Sequence, residues 1–107
     1  MLTIQKREAA AELLRVAERD RVPIKPLVEL YPEIDVVDAY EIQLLNVRHR
    51  NRDVIGHKVG LSSLAMQQMM GVDEPDYGHL LDDMQLAGTA DASAYLYPRV
   101  EVEIAFV

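Results

Sequence analysis

Two glutamates near the end of the sequence, Glu101 and Glu103, have a spacing that could bind a metal ion. The stretch Pro98 to Val107 alternates apolar with other residues, which predicts a β-strand with both glutamates on one face. Their attachment points are then roughly 6.6 to 6.8 Å apart, and flexible side chains can close that gap around one cation. Hard cations such as Mg²⁺ or Mn²⁺ prefer about six oxygen ligands, so more carboxylates or waters would be needed. Spacing alone favours the simpler alternative, a solvated strand face.

Lys58 is a further residue whose neighbours in the sequence indicate a chemical role. It lies in a β-prone run, Val54 to Leu61, in which Gly56 and Gly60 share its face and leave room for a ligand. A lysine in such a setting can transfer protons, although an ordinary surface lysine has the same pattern. The run lacks the order of a phosphate-binding P-loop. His57, on the apolar face of this strand, is expected to be a hydrogen-bonded core residue.

Asp76 and the pair Ser62 and Ser63 are further candidates. Asp76 lies in the segment Val72 to Gly78, which has the composition of a loop, so it either stabilises a turn or acts as an acid/base group. Taken alone, the turn role is favoured. One of the serines should cap a short helix that ends at Gly71. Three methionines of that helix are expected to fill the core: Met66, Met69 and Met70.

The elements before these residues are predicted to be helical. Helix spacing of apolar residues runs from Thr3, a candidate N-cap, to Asp20, and a second helix should begin after Asp35 and end near Arg50. The three prolines between Arg21 and Pro32 predict an irregular connector. Helices first and strands later indicate an α+β fold, with a helical region at 1–52 and the start of a β-rich region at 53–107.

Composition narrows the class of protein. Eighteen acidic residues against 11 basic ones give the 107-residue chain a formal charge of −7, which disfavours nucleic acid as a partner. The sequence has no cysteine, no signal peptide pattern and no apolar run long enough for a membrane. These features predict a cytoplasmic protein that does not bind membranes.

Four segments together resemble the 2-keto-4-pentenoate hydratases, also called 2-hydroxypenta-2,4-dienoate hydratases, of the fumarylacetoacetate hydrolase superfamily. They occur in the order found in that family, and four segments in order are far more specific than any one of them. The segments are Asp-Ala-Tyr-Glu-Ile-Gln at 38–43, Ile-Gly-His-Lys-Val-Gly-Leu-Ser at 55–62, Gly-Val-Asp-Glu-Pro-Asp-Tyr-Gly at 71–78 and Pro-Arg-Val-Glu-Val-Glu-Ile-Ala at 98–105.

The resemblance implies a hydro-lyase of the meta-cleavage route of aromatic or steroid breakdown, which depends on Mg²⁺ or Mn²⁺ and commonly forms a homo-oligomer. Such enzymes add water to a 2-hydroxy-2,4-dienoate and give a 4-hydroxy-2-oxo acid. The resemblance also implies the following roles: catalysis for Lys58 and Asp76, binding of the substrate carboxylate for Ser62 and Ser63, and metal binding for Glu101 and Glu103.

Two other functions remain open. A 4-oxalocrotonate decarboxylase of the same superfamily resembles the chain in all four segments, and a non-catalytic assembly domain could carry the glutamates on a solvated face. Family members are also longer, roughly two domains by ordinary domain size. The resemblance therefore predicts the N-terminal part of a truncated, fumarylacetoacetate-hydrolase-like mixed β fold. A third carboxylate ligand would lie outside the chain, the apolar face from Val100 to Phe106 would be uncovered, and the 107 residues alone would be inactive or depend on a partner.

Overall fold

A computed structural model describes residues 1–107, and the chain divides into two compact units. The first unit contains residues 1–51 and 91–98, and the second contains residues 52–90 and 99–107. Helices make up the first unit, and a three-stranded antiparallel sheet with one short helix makes up the second. The combination of helices and an antiparallel sheet agrees with the α+β prediction.

The first unit begins with helix α1, Ile4–Asp20. Thr3 caps it as predicted, because the Thr3 hydroxyl accepts a hydrogen bond of 3.2 Å from the amide of Lys6. Arg21 ends the helix in the left-handed conformation, with φ of 52°. The local sequence thus defines both ends of α1.

Helix α3, Val36–Arg50, has a capping box at its start. The Asp35 carboxylate accepts a hydrogen bond from the Asp38 amide at 2.9 Å, and the Asp38 carboxylate accepts one from the Asp35 amide at 3.0 Å. Asp38 is fully buried, and its carboxylate also accepts hydrogen bonds from the Leu2 amide and the Arg7 guanidinium. Burial disfavours the charge of Asp38, but the hydrogen bonds from these three donors and the positive charge of Arg7 outweigh burial and lower its pKa to about 2.

The core of the first unit lies where α1 and α3 meet. Small residues of α1 allow the two helices to approach closely, and Ile42 of α3 fills the space between them with 1% of its surface exposed. The buried cluster consists of Leu2, Ala10, Ala11 and Ile42.

The connector between these helices differs from its prediction. It contains a short helix, α2 at Leu27–Leu30, where irregular structure was expected. Proline disfavours helix at the residue before it but is tolerated at a helix start, and Pro26 stands at the N-cap of α2. The first unit also contains one turn of 3-10 helix, Ala92–Ala94.

The second unit is built on strand β1, Val54–Gly60, which lies at the centre of the sheet. Strand β2, Asp76–Leu81, pairs with one edge of β1, and β3, Ile104–Phe106, pairs with the other. Helix α4, Leu64–Met70, connects β1 to β2 and is capped by Ser63. A 3-10 turn, Asp82–Met84, follows β2. Both edges of β1 are therefore paired.

Two strand predictions need correction. Asp76 to Gly78 belong to β2 and not to a loop, because they pair with Gly60 to Lys58 of β1. The last strand is three residues long instead of spanning 98–107, because pairing with β1 covers only Ile104 to Phe106. Glu101 and Glu103 thus precede β3, in a part of the chain that is not paired with the sheet.

Two packing predictions are also wrong. His57 is exposed, and its ring lies edge-on to that of His79, directly opposite on β2, with centroids 5.0 Å apart. The methionines of α4 are exposed as well, and the residue of that helix that is buried is Gln67. The exposed fractions are 43% for Met66, 69% for Met69 and 62% for Met70. None of the helices is long and apolar enough to cross a membrane.

Candidate functional site

Strand register brings the small residues and the chemically active ones to the same face of the sheet. Residues directly opposite in an antiparallel pair share a face, and Lys58 lies opposite Gly78 on β2 and opposite Ala105 on β3. Two residues further along β1, Gly60 lies opposite Asp76. Lys58 therefore has residues without bulky side chains on both neighbouring strands.

The side chain of Lys58 lies across Gly78. A Cβ atom at position 78 would come to 3.1 Å from Cε of Lys58 and 3.2 Å from Cγ, which is closer than ordinary van der Waals contact. The absence of a side chain at Gly78 is what lets the lysine stem run over β2. The sequence pattern indicated room beside Lys58 along its own strand, but not the room that Gly78 provides on the next strand.

The Lys58 ammonium forms an ion pair with Glu103. Nζ of Lys58 lies 3.3 Å from Oε2 of Glu103, and the side chains are 37% and 26% exposed. The partial burial of both groups means that water screens this pair less than it screens a pair on the open surface. Glu103 is thus turned towards the sheet, although it precedes the paired residues of β3.

Asp76 and Glu103 converge above Gly60. A Cβ atom at Gly60 would overlap Oδ1 of Asp76 and would come to 3.2 Å from Oε1 of Glu103. The two carboxylates therefore occupy the space that a side chain at position 60 would fill. Their mutual repulsion is offset by the ammonium of Lys58, which is paired with Glu103.

A cavity of about 680 Å³ opens at this point. Every residue assigned a role from the resemblance lines it, namely Lys58, Ser62, Ser63, Asp76, Glu101 and Glu103. Met66 and Met70, which were expected in the core, form an apolar part of the cavity wall. The hydroxyl of Ser63 already accepts the Met66 amide at 3.2 Å, so Ser62 is the serine without that capping role.

The donor groups suit a hard divalent cation. Asp76, Glu101 and Glu103 offer carboxylate oxygens to one cavity, and Mg²⁺, Mn²⁺ and Ca²⁺ prefer oxygen ligands. The space above Gly60 that a Cβ would fill is bordered by two of these carboxylates. No group of three or more histidine, cysteine, aspartate or glutamate side chains is arranged to hold a metal ion. The residues present thus fit part of a coordination shell.

Gln67 is a buried polar residue that the sequence did not single out. Its side-chain amide donates a hydrogen bond of 2.7 Å to the carbonyl of Leu61, directly after β1. Leu61 has a φ of 51°, an uncommon conformation for a leucine. Gln67 therefore holds the turn that carries Ser62 and Ser63 to the cavity, and no sequence signal distinguishes it from a surface glutamine.

Known proteins resemble the chain over nearly its whole length. A 2-keto-4-pentenoate hydratase from Paraburkholderia xenovorans is 46% identical over 99% of this chain and 41% of the relative. A 4-oxalocrotonate decarboxylase from Pseudomonas is 38% identical over 92% of this chain and 39% of the relative. The chain thus spans about two fifths of the length of the curated relatives that it matches. No family model matches it.

Solved structures share the fold. A 4-oxalocrotonate decarboxylase from Pseudomonas putida, complexed with calcium and acetate, matches 78% of this chain and 33% of its own with a TM-score of 0.72 and 35% identity. A further structure of that enzyme was solved with magnesium and adipate. Sequence and fold together confirm the resemblance, and the chain is similar to the 2-keto-4-pentenoate hydratases of the fumarylacetoacetate hydrolase superfamily over a span that makes up about two fifths of such an enzyme.

Proposed function

We propose that the chain is part of a hydratase that depends on a divalent metal ion, Mg²⁺ or Mn²⁺, and adds water to a 2-hydroxy-2,4-dienoate to give a 4-hydroxy-2-oxo acid. The observation that supports this most strongly is the convergence of Lys58, Asp76 and Glu103 on one cavity. The names of its relatives support the substrate class, since several are 2-keto-4-pentenoate hydratases and one is a 2-hydroxyhexa-2,4-dienoate hydratase. The reaction would take place in the cytoplasm, in a homo-oligomer.

Glu101 and Glu103 would hold the cation, because both line the cavity and supply the oxygen donors that such ions prefer. When bound, the cation would supply Lewis acidity that stabilises negative charge developing on the substrate oxygens. The solved relatives that contain calcium or magnesium support a divalent cation in this kind of fold. The remaining ligands would come from waters and from residues outside the chain.

Lys58 and Asp76 would move the protons of the reaction. Conversion of the dienol to the 2-oxo acid removes the proton of the 2-hydroxyl and adds one at C5, and hydration then adds the hydroxyl of water at C4 and its proton at C3. A lysine and an aspartate on the same sheet face can serve those proton transfers, and general acid–base catalysis typically contributes 10²- to 10⁴-fold. Ser62 would donate its hydroxyl to the substrate carboxylate, and Met66 and Met70 would border its apolar carbons.

A 4-oxalocrotonate decarboxylase is the second candidate. It is favoured by one observation, that two solved structures with the same fold are of a decarboxylase of that name. We rank hydration first because two 2-keto-4-pentenoate hydratases are 46% identical to the chain, against 38% for the curated decarboxylase. The two activities are separated by their products, since one adds water to a dienoate and the other releases CO₂ from a 2-oxo diacid.

A chimera tests the proposal in an intact enzyme. Residues 1–107 would replace the aligned segment of the Paraburkholderia hydratase, which is 46% identical over 99% of this chain. We expect Mg²⁺-dependent loss of the dienoate absorbance without CO₂ release, and a fall of at least about 100-fold in kcat for Lys58→Ala and Asp76→Asn. Folded chimera variants with full kcat would exclude these residues from catalysis, and CO₂ release without hydration would favour the decarboxylase.

A further inference from the structure

The ion pair between Lys58 and Glu103 places a cation of the protein's own on a proposed metal ligand. Nζ of Lys58 is 3.3 Å from Oε2 of Glu103, while Oε1 of the same carboxylate faces the space above Gly60 that Asp76 also borders. A carboxylate engaged by an ammonium group offers less negative charge to a metal ion. The pairing is therefore relevant to metal affinity as well as to proton transfer.

The surrounding residues hold the ammonium in this position. Gly78 gives the lysine stem a path across β2, and a Cβ atom there would lie 3.1 Å from Cε. Ala105, opposite Lys58 on β3, has only a methyl side chain. The exposed fractions of 37% for Lys58 and 26% for Glu103 show a pair that is partly shielded from water but still accessible to an ion from solution.

We propose that Lys58 is the resident counter-ion of Glu103 and that a divalent cation has to displace its ammonium group in order to bind. Without a metal ion the lysine compensates the charge of Glu103 and Asp76, which would otherwise repel each other above Gly60. With a metal ion bound, the ammonium is released from Glu103 into the cavity. Lys58 thus lowers the affinity of the site for divalent cations, an inference that rests on the proposed function because that function assigns Glu103 to the metal.

The test is calorimetric titration of the chimeric hydratase with Mg²⁺, comparing the chimera that carries the wild-type residues 1–107 with its Lys58→Met variant. Methionine keeps an unbranched stem over Gly78 and removes the charge. Lys25→Met is the matched control, because it removes the same charge from the other compact unit. We expect Lys58→Met to bind Mg²⁺ at least about fivefold more tightly, about 1 kcal/mol by the affinity relation, and the control to change affinity less than twofold.

Thermal unfolding gives a second readout of the same variants. Without metal, Lys58→Met should unfold at a lower temperature than Lys25→Met, because its carboxylates have lost their counter-ion. Saturating Mg²⁺ should remove that difference, since tighter binding to the folded state raises its stability.

Gly78→Ala provides a further variant, because the added methyl group displaces the lysine stem. In the calorimetric titration it should bind Mg²⁺ with an affinity between those of the wild type and Lys58→Met.

The outcomes separate this inference from the function on which it rests. If Glu103→Gln abolishes Mg²⁺ binding but Lys58→Met binds no more tightly than the wild type, the counter-ion role is wrong and the metal assignment stands. If Glu103→Gln binds as well as the wild type, the metal assignment itself is wrong. Absence of Mg²⁺ binding from both the wild type and Lys58→Met would overturn both.

Discussion

Gly60→Ala should damage the site while leaving the fold nearly unchanged. The added Cβ would overlap Oδ1 of Asp76 and approach Oε1 of Glu103 to 3.2 Å. Asp76 has to rotate to avoid the overlap, since Gly60 is part of the central strand and cannot move freely. The carboxylate that we assign to proton transfer is thereby moved away from its position.

The cost to stability is small by comparison. An off-rotamer side chain costs roughly 0.5–1.5 kcal/mol. Replacing glycine by alanine at a position without left-handed φ recovers about 0.4–1 kcal/mol through the unfolded state, and Gly60 is not among the glycines with positive φ. The two effects nearly cancel, so we expect the free energy of unfolding to change by about 1 kcal/mol or less. Misplacement of a catalytic group by about 1 Å, in contrast, can reduce turnover by about 100-fold.

The assay is kcat of the chimeric hydratase with and without Gly60→Ala, together with urea unfolding of the 107-residue chain. Gly88→Ala is the control, because Gly88 has a φ of 76° and no neighbour that a Cβ would meet, so its substitution strains the backbone without contacting the site. We expect the control to lose stability but keep turnover, and Gly60→Ala to do the reverse. Wild-type turnover in a folded Gly60→Ala enzyme would refute the geometry that we assign to Asp76.

Further predictions concern residues that support the site and the fold. Asp38→Asn should lower the melting temperature at neutral pH. Because the pKa of Asp38 is lowered to about 2, the stability supplied by its charge is present above its unfolded pKa and lost as the pH falls through about 2. The difference between wild type and variant should therefore shrink between about pH 4 and pH 2 in thermal unfolding scans; a constant difference would exclude the charge as the cause. Ser63→Ala should cost about 0.5–2 kcal/mol of stability through loss of the helix cap, whereas Ser62→Ala should raise KM of the chimera with little change in stability; the reverse pattern would exchange their roles. Gln67→Ala should cost about 1 kcal/mol in urea unfolding, because the Leu61 carbonyl loses its hydrogen bond, and an unchanged midpoint would contradict this.

Helix ends were predictable because their causes are local. Thr3, Asp35 and Ser63 each accept a backbone amide three residues ahead, and a sequence pattern of a few residues contains all the partners involved. The short helix after Pro26 was missed because proline has opposite effects inside a helix and at its start.

Strand lengths and burial were less predictable because they depend on distant partners. The alternation from Val100 to Phe106 is a genuine strand pattern, yet only Ile104 to Phe106 pair with β1. Val100 and Val102 remain fully exposed, with relative accessibilities of 98% and 102%. His57 was expected in the core for the same reason, since periodicity indicates a face but not whether anything covers it.

The sequence and its resemblance named the candidate residues that line the cavity, whose roles stay predictions, but they did not indicate the geometry that brings them together. Lys58, Asp76 and Glu103 are far apart in sequence, and their convergence follows from the register of three strands. That register also explains the role of Gly78, which the sequence marks only as a turn residue. The ion pair between Lys58 and Glu103 could not be predicted from either residue alone.

A manganese-soaked crystal of the chimeric hydratase tests the proposed metal site most directly. Mn²⁺ prefers the same oxygen ligands as Mg²⁺ and scatters X-rays anomalously, so its position can be read from an anomalous difference map. We predict a peak in the cavity in contact with carboxylate oxygens of Glu101 and Glu103, with Nζ of Lys58 moved away from Glu103. A cavity without a peak at millimolar Mn²⁺, or a peak bound elsewhere with the Lys58–Glu103 pair intact, would contradict the assignment of these glutamates as metal ligands.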